Sequence, residues 1–183
     1  MTARTTTRAA RRSTIIATAI GPCRLSWTER GLAGVTLLAD PAGLPDGDPP
    51  PAWVRDAADR IARHLTGAPQ DLSAIPLDEE GLPPFHRKIY EAARRVPPGR
   101  TVSYAEIAAL AGSPGAARAA GQALARNPFL LVVPCHRVLA TGGAAGGFSA
   151  PGGFSTKAQM LALEGVLMRE KAPPRRQGSE GES

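Results

Sequence analysis

The alternation of apolar and polar positions near the start of the chain predicts a small antiparallel sheet. Apolar and β-branched residues are concentrated in the runs 14–20, 24–27 and 32–38, and the turn sequences Gly21-Pro22 and Glu29-Arg30-Gly31 separate them. Short apolar runs joined by such turns are typical of an antiparallel meander.

Helical periodicity replaces this alternation after a proline-rich loop at 40–51. Residues 53–66 place one apolar stripe along a predicted helix: Val54, Ala57, Ala58, Ile61 and Leu65. His64 lies beside the stripe, and we assign it no function. A proline-containing connector at 70–83 follows. We expect a domain boundary there, between an amino-terminal α/β domain at 14–80 and a second domain at 84–168.

The second domain begins with three predicted helices. The first carries a buried stripe from Phe85 to Val96 and ends at Pro97-Pro98-Gly99. Ser103 and Glu106 have the spacing of a capping box and begin a helix that runs to Leu110. Ser113 is expected to cap the third, with Pro114 at its first position and its end at Arg126. The last two form either a helix-turn-helix or an ordinary helical hairpin.

A buried strand is predicted to deliver a cysteine to the edge of the core. Five apolar residues, 129–133, lie between two prolines and precede Cys135-His136. A glycine-rich loop at 141–153 leads to a helix that starts at Ser155 or Thr156. One face of this helix should carry Met160, Leu161, Glu164 and Met168. A buried Glu164 needs a partner, and His136 is a candidate.

Composition narrows the setting of the protein. No apolar run of 18 residues is present, and no secretory segment follows the arginine-rich residues 1–12, so we expect a cytoplasmic protein with no membrane partner. The two cysteines, Cys23 and Cys135, are too few for a disulfide framework or a zinc cluster. Residues 1–13 are expected to be a disordered basic arm and residues 169–183 a disordered tail.

The positive charge is concentrated around the cysteine motif. The net charge is +6, and residues 85–137 carry 8 basic and 2 acidic side chains. This concentration indicates either a polyanion that approaches the site or a solvated face. In the alanine-rich helix before the motif, Arg118 is the only long side chain before Gln122. Such a surface suits close approach to a nucleic-acid groove, although a plain packing helix would have a similar composition.

These pieces together resemble the O6-alkylguanine-DNA alkyltransferases. The resemblance covers residues 84–167 strongly and residues 14–66 more weakly. The matching motifs are Pro97-Pro98-Gly99 with Ser103-Tyr104, Arg118-Ala119, Asn127-Pro128, Pro134-Cys135-His136-Arg137-Val138, the glycine loop, Lys157 and Glu164-Gly165. The fold implied is α+β: a small antiparallel sheet with a helix, then a winged helix-turn-helix-like domain.

The resemblance also implies roles for individual residues. Cys135 would attack the O6-alkyl carbon as a thiolate, His136 and Glu164 would assist it, and Tyr104 would protonate the departing guanine. The DNA-binding residues implied are Ser103, Arg118, Ala119 and Arg137. The pocket and support residues implied are Asn127, Val138, Phe148, Ser149 and Lys157. Phe148 stands where the family usually has tyrosine, and Ala150-Pro151 lengthens the loop.

The implied partner is double-stranded DNA with O6-alkylguanine, and also O4-alkylthymine, bound through the minor groove with the base flipped out. The family pattern implies a monomer that uses no cofactor and no metal. Two other readings are a noncatalytic lesion-binding protein of the same fold and a Cys-His-Glu hydrolase. Either would fail to move an alkyl group to Cys135.

Overall fold

A three-stranded antiparallel sheet forms the amino-terminal part of the protein. The structure, a computed structural model, describes residues 10–40, 42, 47–140 and 148–168. The strands are β1 (Arg12–Ile16), β2 (Cys23–Thr28) and β3 (Gly31–Leu37), in that order. The predicted meander is confirmed, although β1 begins earlier than expected and ends at Ile16. The two predicted termini fall largely outside the described residues.

The free edge of β3 holds two later segments of the chain. Leu32 donates to the carbonyl of Pro76 at 2.8 Å, and Val35 donates to the carbonyl of Pro128 at 2.8 Å. A side chain on Gly31 would lie 2.6 Å from the Pro76 oxygen, so only glycine fits this approach. The sheet thereby fixes the segment that leads to Cys135.

The helices are α1 (Ala52–His64), α2 (Pro84–Arg94), α3 (Tyr104–Leu110), α4 (Ala117–Ala125) and α5 (Phe154–Leu163). Ser103 and Glu106 form the predicted capping box at the start of α3. A two-stranded parallel ladder joins β4 (Val102–Ser103) to β5 (Val138–Leu139). This ladder ties the start of α3 to the residues that follow the cysteine motif.

The predicted start of α4 is wrong. Ser113 does not cap the helix, which begins at Ala117 with Ala116 as its N-cap residue and no side-chain cap. Gly115 has φ +87, a conformation incompatible with a helix, so Pro114-Gly115 forms part of the turn instead. The helix-turn-helix pair, α3 and α4, is present with a longer turn than expected.

Buried residues of both halves of the chain form one hydrophobic cluster. Tyr90 of α2 meets Phe129 edge to face, with the ring centroids 6.3 Å apart, a geometry that contributes about 0.5–1.5 kcal/mol beyond burial. The α+β class is confirmed, whereas the division into domains at 80–84 stays a prediction. Among the described residues, no helix is long and apolar enough to cross a bilayer.

Candidate active site

Asn127 holds the chain that leads to the cysteine. Its Nδ2 donates to the carbonyl of Val133 at 2.9 Å, and its Oδ1 accepts from the N–H of Phe129 at 2.9 Å. Between them Leu131 takes a φ of 70°, which is rare for a side chain of this size. Both polar ends of one amide thus stabilise a tight reversal of the backbone.

This reversal corrects the predicted strand at residues 129–133. All five residues are buried, as expected, but the chain folds back at Leu131, and Val133 donates to the carbonyl of Phe129 at 2.8 Å. A run of apolar residues specifies burial without specifying an extended backbone. The segment enters the core as a turn that Asn127 clamps.

Cys135 lies immediately after this turn and is 7% exposed. It begins a single 3-10 turn, Cys135–Arg137. In an extended chain the side chains of Cys135 and His136 would point to opposite faces, whereas the 3-10 turn bends the backbone between them.

The surroundings of Cys135 favour a protonated thiol in the resting protein. Burial raises the pKa of Cys135, against the opposing effects of a hydrogen bond with Asn127 and the positive charge of Lys157. Burial also lowers the pKa of Lys157 to about 8, and its Nζ donates to the carbonyl of Val138 at 2.7 Å. The thiolate that the predicted attack requires therefore has to form as the proton is removed during the reaction.

Glu164 is the centre of a buried polar cluster beneath the cysteine. Its Oε1 lies 2.9 Å from Nε2 of His136, the partner predicted for a buried Glu164. Arg137 donates from Nη2 to Oε1 at 2.8 Å and from Nε to Oε2 at 3.0 Å. Burial alone would raise the pKa of Glu164, but the hydrogen bonds outweigh burial and hold that pKa well below its usual range. Glu164 is a carboxylate at neutral pH.

His64 is a fourth member of this cluster. It is the last residue of α1 and is 2% exposed. Its Nε2 lies 2.8 Å from Oε1 of Glu164, so two imidazoles and one guanidinium meet at the same oxygen. The absence of a role for His64 in the sequence interpretation was an omission. Its position three residues after Ile61 places it on the buried face of α1, where a polar side chain needs a partner.

The hydrogen bonds define the tautomers of both histidines. The backbone N–H of Gln70 donates to Nδ1 of His64 at 3.0 Å, so this nitrogen carries no proton and Nε2 is the donor. Because Glu164 is a carboxylate, Nε2 of His136 is also a donor. Its Nδ1 is buried and has no hydrogen-bond partner within the part of the chain that the structure describes. His136 therefore presents one lone pair that is free to accept a proton.

His64, His136 and Glu164 also have the donor types of a metal site, with ligand atoms within 4.8 Å of one another. The guanidinium of Arg137 occupies both oxygens of the carboxylate, which places a fixed positive charge where a cation would have to bind. The arrangement fits a hydrogen-bonded relay better than a metal centre.

Helix α4 has an exposed face and a buried face. Arg118 and Ala119 of α4 are exposed, whereas Ala120, Ala123 and Leu124 are buried. Tyr104, half-buried at the start of α3, packs against Gly121 of α4, whose added Cβ would lie 3.6 Å from the tyrosine ring. Burial raises the pKa of Tyr104, and a thiolate at Cys135 would raise it further. The phenol thus remains a proton donor near neutral pH, within electrostatic range of the thiol.

The profile of the family described as 6-O-methylguanine DNA methyltransferase, DNA binding domain, matches residues 84–166. A methylated-DNA–protein-cysteine methyltransferase of Methanothermobacter thermautotrophicus is 36% identical over 142 residues, which cover 78% of this chain and 78% of that protein. A mouse protein of the same name is 37% identical over 168 residues, covering 80% of this chain and 78% of its own. The chain belongs to the methylated-DNA–protein-cysteine methyltransferase family.

A solved structure of Mycobacterium tuberculosis OGT in complex with DNA has the same fold as this chain. The two superpose with a TM-score of 0.70 at 33% identity, over 83% of this chain and 91% of the other. The resemblance that the cysteine motif suggested is thus confirmed at the level of family and fold.

The structure contradicts the predicted role of one family motif residue. Arg137 is 5% exposed, and its guanidinium is engaged by Glu164 and by the carbonyl of Val96. A DNA-contacting arginine needs a free head group at the surface, so the prediction that Arg137 contacts DNA is wrong. Its position in the 3-10 turn directs it inward.

The other residues predicted to bind DNA or support the pocket differ in burial and in structural role. Ser103 caps α3, Val138 supplies the carbonyl that holds Lys157, and Phe148 is half-buried against the core. Ser149 is exposed. Residues 141–147 of the predicted glycine loop, 141–153, lie outside the described residues. Met168, expected on the face of Glu164, comes after the end of α5 at Leu163, so that prediction is wrong.

Tyr90 was also missed by the sequence interpretation. It is fully buried, and its hydroxyl donates to the carbonyl of Ala123 at 2.9 Å. Burial and the electrostatic effect of Cys135 raise its pKa to about 12, the latter only once the thiol has lost its proton. Its position in the stripe of α2, one residue after Ile89, gave no sign that it connects α2 to α4 beside the thiol.

Proposed function

We propose that the protein repairs DNA by transferring an alkyl group from O6 of guanine, and from O4 of thymine, to Sγ of Cys135. The observation that carries the proposal is the buried arrangement of Cys135 and His136: the imidazole donates from Nε2 to Glu164 and keeps Nδ1 unprotonated. A general base next to a buried thiol is what nucleophilic attack on an alkyl carbon requires. Membership of the methyltransferase family supports the same reaction.

In the reaction, the Sγ–C bond forms as the C–O6 bond breaks. Burial lowers the pKa of His136, against the opposing influence of Glu164, so the imidazole is neutral and able to act as a base at physiological pH. The thiol proton passes to Nδ1 of His136 through one water molecule. Glu164 then stabilises the imidazolium that forms, as the acid does in a hydrolase triad.

The departing guanine needs a proton as its alkyl group leaves. Tyr104 supplies it to N3 of the base, which leaves as neutral guanine. The phenolate and the imidazolium that remain recover their resting states by proton exchange with water. Lys157 stabilises the developing thiolate through its positive charge.

Each molecule acts once. The product at Cys135 is a thioether, which lacks the electrophilic carbonyl through which water regenerates a thioester enzyme. Transfer should therefore stop at one alkyl group per protein chain.

We further propose that α4 binds the minor groove and that Arg118 fills the space of the flipped nucleotide. The exposed face of α4 around Ala119 lets the backbone approach the DNA closely, while Arg118 projects from it. Ser103 and Ala119 border this surface. Nucleophile, base and proton donor all come from one chain, which supports action as a monomer.

Label transfer distinguishes this function from the alternatives. A duplex that carries O6-[methyl-³H]guanine should lose its label to the protein, at Cys135, while Cys135→Ser binds the duplex without accepting label. A lesion-binding protein would bind and transfer nothing, and a hydrolase would release label to solvent. Either outcome for the native protein would contradict the proposal.

A further inference from the structure

A histidine from the amino-terminal half of the chain reaches the relay beneath Cys135. His64 ends α1, 100 residues away in sequence from the carboxylate that it meets. Its Nε2 and the Nε2 of His136 lie 2.8 Å and 2.9 Å from the same Oε1 of Glu164. A change in the strength of one of these hydrogen bonds alters the strength of the other, because a single oxygen accepts both.

The backbone fixes His64 as a permanent donor to that oxygen. The N–H of Gln70 is a donor at every pH, and at 3.0 Å it occupies Nδ1 of His64. If Nδ1 were protonated, its N–H would face the N–H of Gln70 in a buried site, and neither donor would have an acceptor. His64 therefore holds its proton on Nε2 and directs it at Glu164.

We propose that His64 is a positioning residue that limits the basicity of His136 by sharing Oε1 of Glu164, an inference that rests on the proposed function. A carboxylate that accepts several hydrogen bonds attracts each donor less strongly. The donor from His64 consequently weakens the support that Glu164 gives to a protonated His136. This keeps Nδ1 of His136 unprotonated and ready to accept the thiol proton near neutral pH.

The titratable and charged groups around His136 are few, and two of them act on it through a fixed charge. On its own turn are Cys135 and Arg137; from α5 and its end come Lys157 and Glu164; from α1 comes His64. The charge of Arg137 opposes protonation of His136, and that of Glu164 favours it. His64 can change how readily His136 is protonated without a change in any of these groups, because His64 donates directly to the carboxylate of Glu164.

Two substitutions separate the two ring nitrogens of His64. His64→Gln places an amide donor near the position of Nε2, which keeps the bond to Glu164 and removes the acceptor for Gln70. His64→Asn places an amide oxygen near the position of Nδ1, which keeps the bond from Gln70 and removes the donor to Glu164. Both variants shorten or reshape one buried side chain, so a general packing defect should appear in both.

The test is an NMR titration of the His136 ring in full-length protein with labelled histidine, without DNA. In His64→Asn the His136 midpoint should rise by about one pH unit, the scale expected when one bond to a charged group is lost. In His64→Gln it should stay near the native value. The acid limb of the pH–rate profile for transfer should move upward with the midpoint in His64→Asn alone. Equal midpoints in the two variants would overturn the proposal.

The native protein provides a second test that needs no folded variant. For the neutral ring of His64, the ¹⁵N shifts should report a protonated Nε2 and an unprotonated Nδ1; the opposite tautomer would overturn the proposal. The two NMR readouts, the His136 midpoint and the His64 tautomer, are obtained without an alkylated substrate. They remain decisive if the protein fails to transfer alkyl groups, a failure that would count against the proposed function alone.

Discussion

The exposed face of α4 and the buried cluster around Glu164 both carry arginine, but the two arginines do different work. Arg118 is exposed on a surface of small residues, whereas Arg137 is 5% exposed and bound to a carboxylate. A solvated charge has no desolvation cost, and its side chain is free to bind a new partner. A charge in the core must be paired where it lies, so it fixes the geometry of its neighbours. Residues of α4 should therefore affect encounter with DNA, and residues of the cluster should affect folding and chemistry together.

The largest effect is expected for Glu164→Gln. The substitution leaves the guanidinium of Arg137 buried without its counter-charge, a change that typically costs about 3–5 kcal/mol of folding free energy. Alkyl transfer by the remaining folded protein should also fall, since His136 loses its support. Urea unfolding and single-turnover transfer measure the two effects. Glu91→Gln, which changes an exposed carboxylate on α2, is the control and should alter neither; an unaffected Glu164→Gln would show that the cluster is dispensable.

The same carboxylate predicts a pH dependence of stability. The pKa of Glu164 in the folded protein is below that of the unfolded chain, so its contribution is complete above an unfolded value of about 4.3. The contribution is lost as the pH falls below that value towards the folded pKa. The free energy of unfolding should decline more steeply in acid for the native protein than for Glu164→Gln. Parallel declines would contradict the assigned charge state.

Arg118→Ala should have an intermediate effect, confined to duplex substrates. Base flipping costs a few kcal/mol, and the inserted side chain offsets part of that cost. Transfer from duplex should slow by about ten- to a hundredfold, whereas transfer from free O6-benzylguanine should change little. Arg63→Ala removes an exposed arginine from α1 and serves as the control. Equal slowing of transfer from duplex and from free base would show that Arg118 has a structural role and does not act in base flipping.

Lys157→Met should shift the reactivity of Cys135 along the pH axis. The charge of Lys157 lowers the thiol pKa, so its removal should raise that pKa further. The rate of reaction with free O6-benzylguanine should then rise at higher pH than in the native protein. In the native protein the lowering of the thiol pKa by Lys157 should diminish above pH 8, where Lys157 loses its proton. Lys88→Met, an exposed substitution, should leave the profile in place, and an unchanged profile in Lys157→Met would exclude the electrostatic role.

The smallest effect is expected for Phe148→Tyr. Phe148 packs partly against the core, and an aromatic face is retained in the variant. Methyl and benzyl transfer rates should each change by less than about threefold. A larger gain would indicate that the added hydroxyl finds a partner at the substrate.

Local sequence signals predicted the parts of the fold that depend on local contacts. The capping box of Ser103 and Glu106 and the inward direction of Glu164 both follow from helical spacing, and the need of a buried carboxylate for a partner indicated His136. The start of α4 was predicted too early because Ser113-Pro114 can begin a helix or form a turn. The positive φ of Gly115 makes this segment a turn, so the helix begins only at Ala117. The DNA-contact role of Arg137 came from the family resemblance, and no local pattern indicated that Glu164, 27 residues later, would pair with its guanidinium in the core.

The long-range partnership of His64 had a weaker signal. Its place on the buried face of α1 indicated burial, but no local pattern links residues 100 apart. Only the packing of α1 against the end of α5 brings that ring to Glu164. Such pairings depend on the tertiary arrangement, which is why the centre of the site was only partly predictable.

The most direct test of the account is the stoichiometry and position of transfer from an excess of O6-methylguanine duplex. Mass spectrometry of the intact protein and its peptides should find one methyl group per chain, on Cys135, with no further product on longer incubation. Continued turnover, or a methyl group on another residue, would contradict the assignment of Cys135 as a nucleophile that acts once.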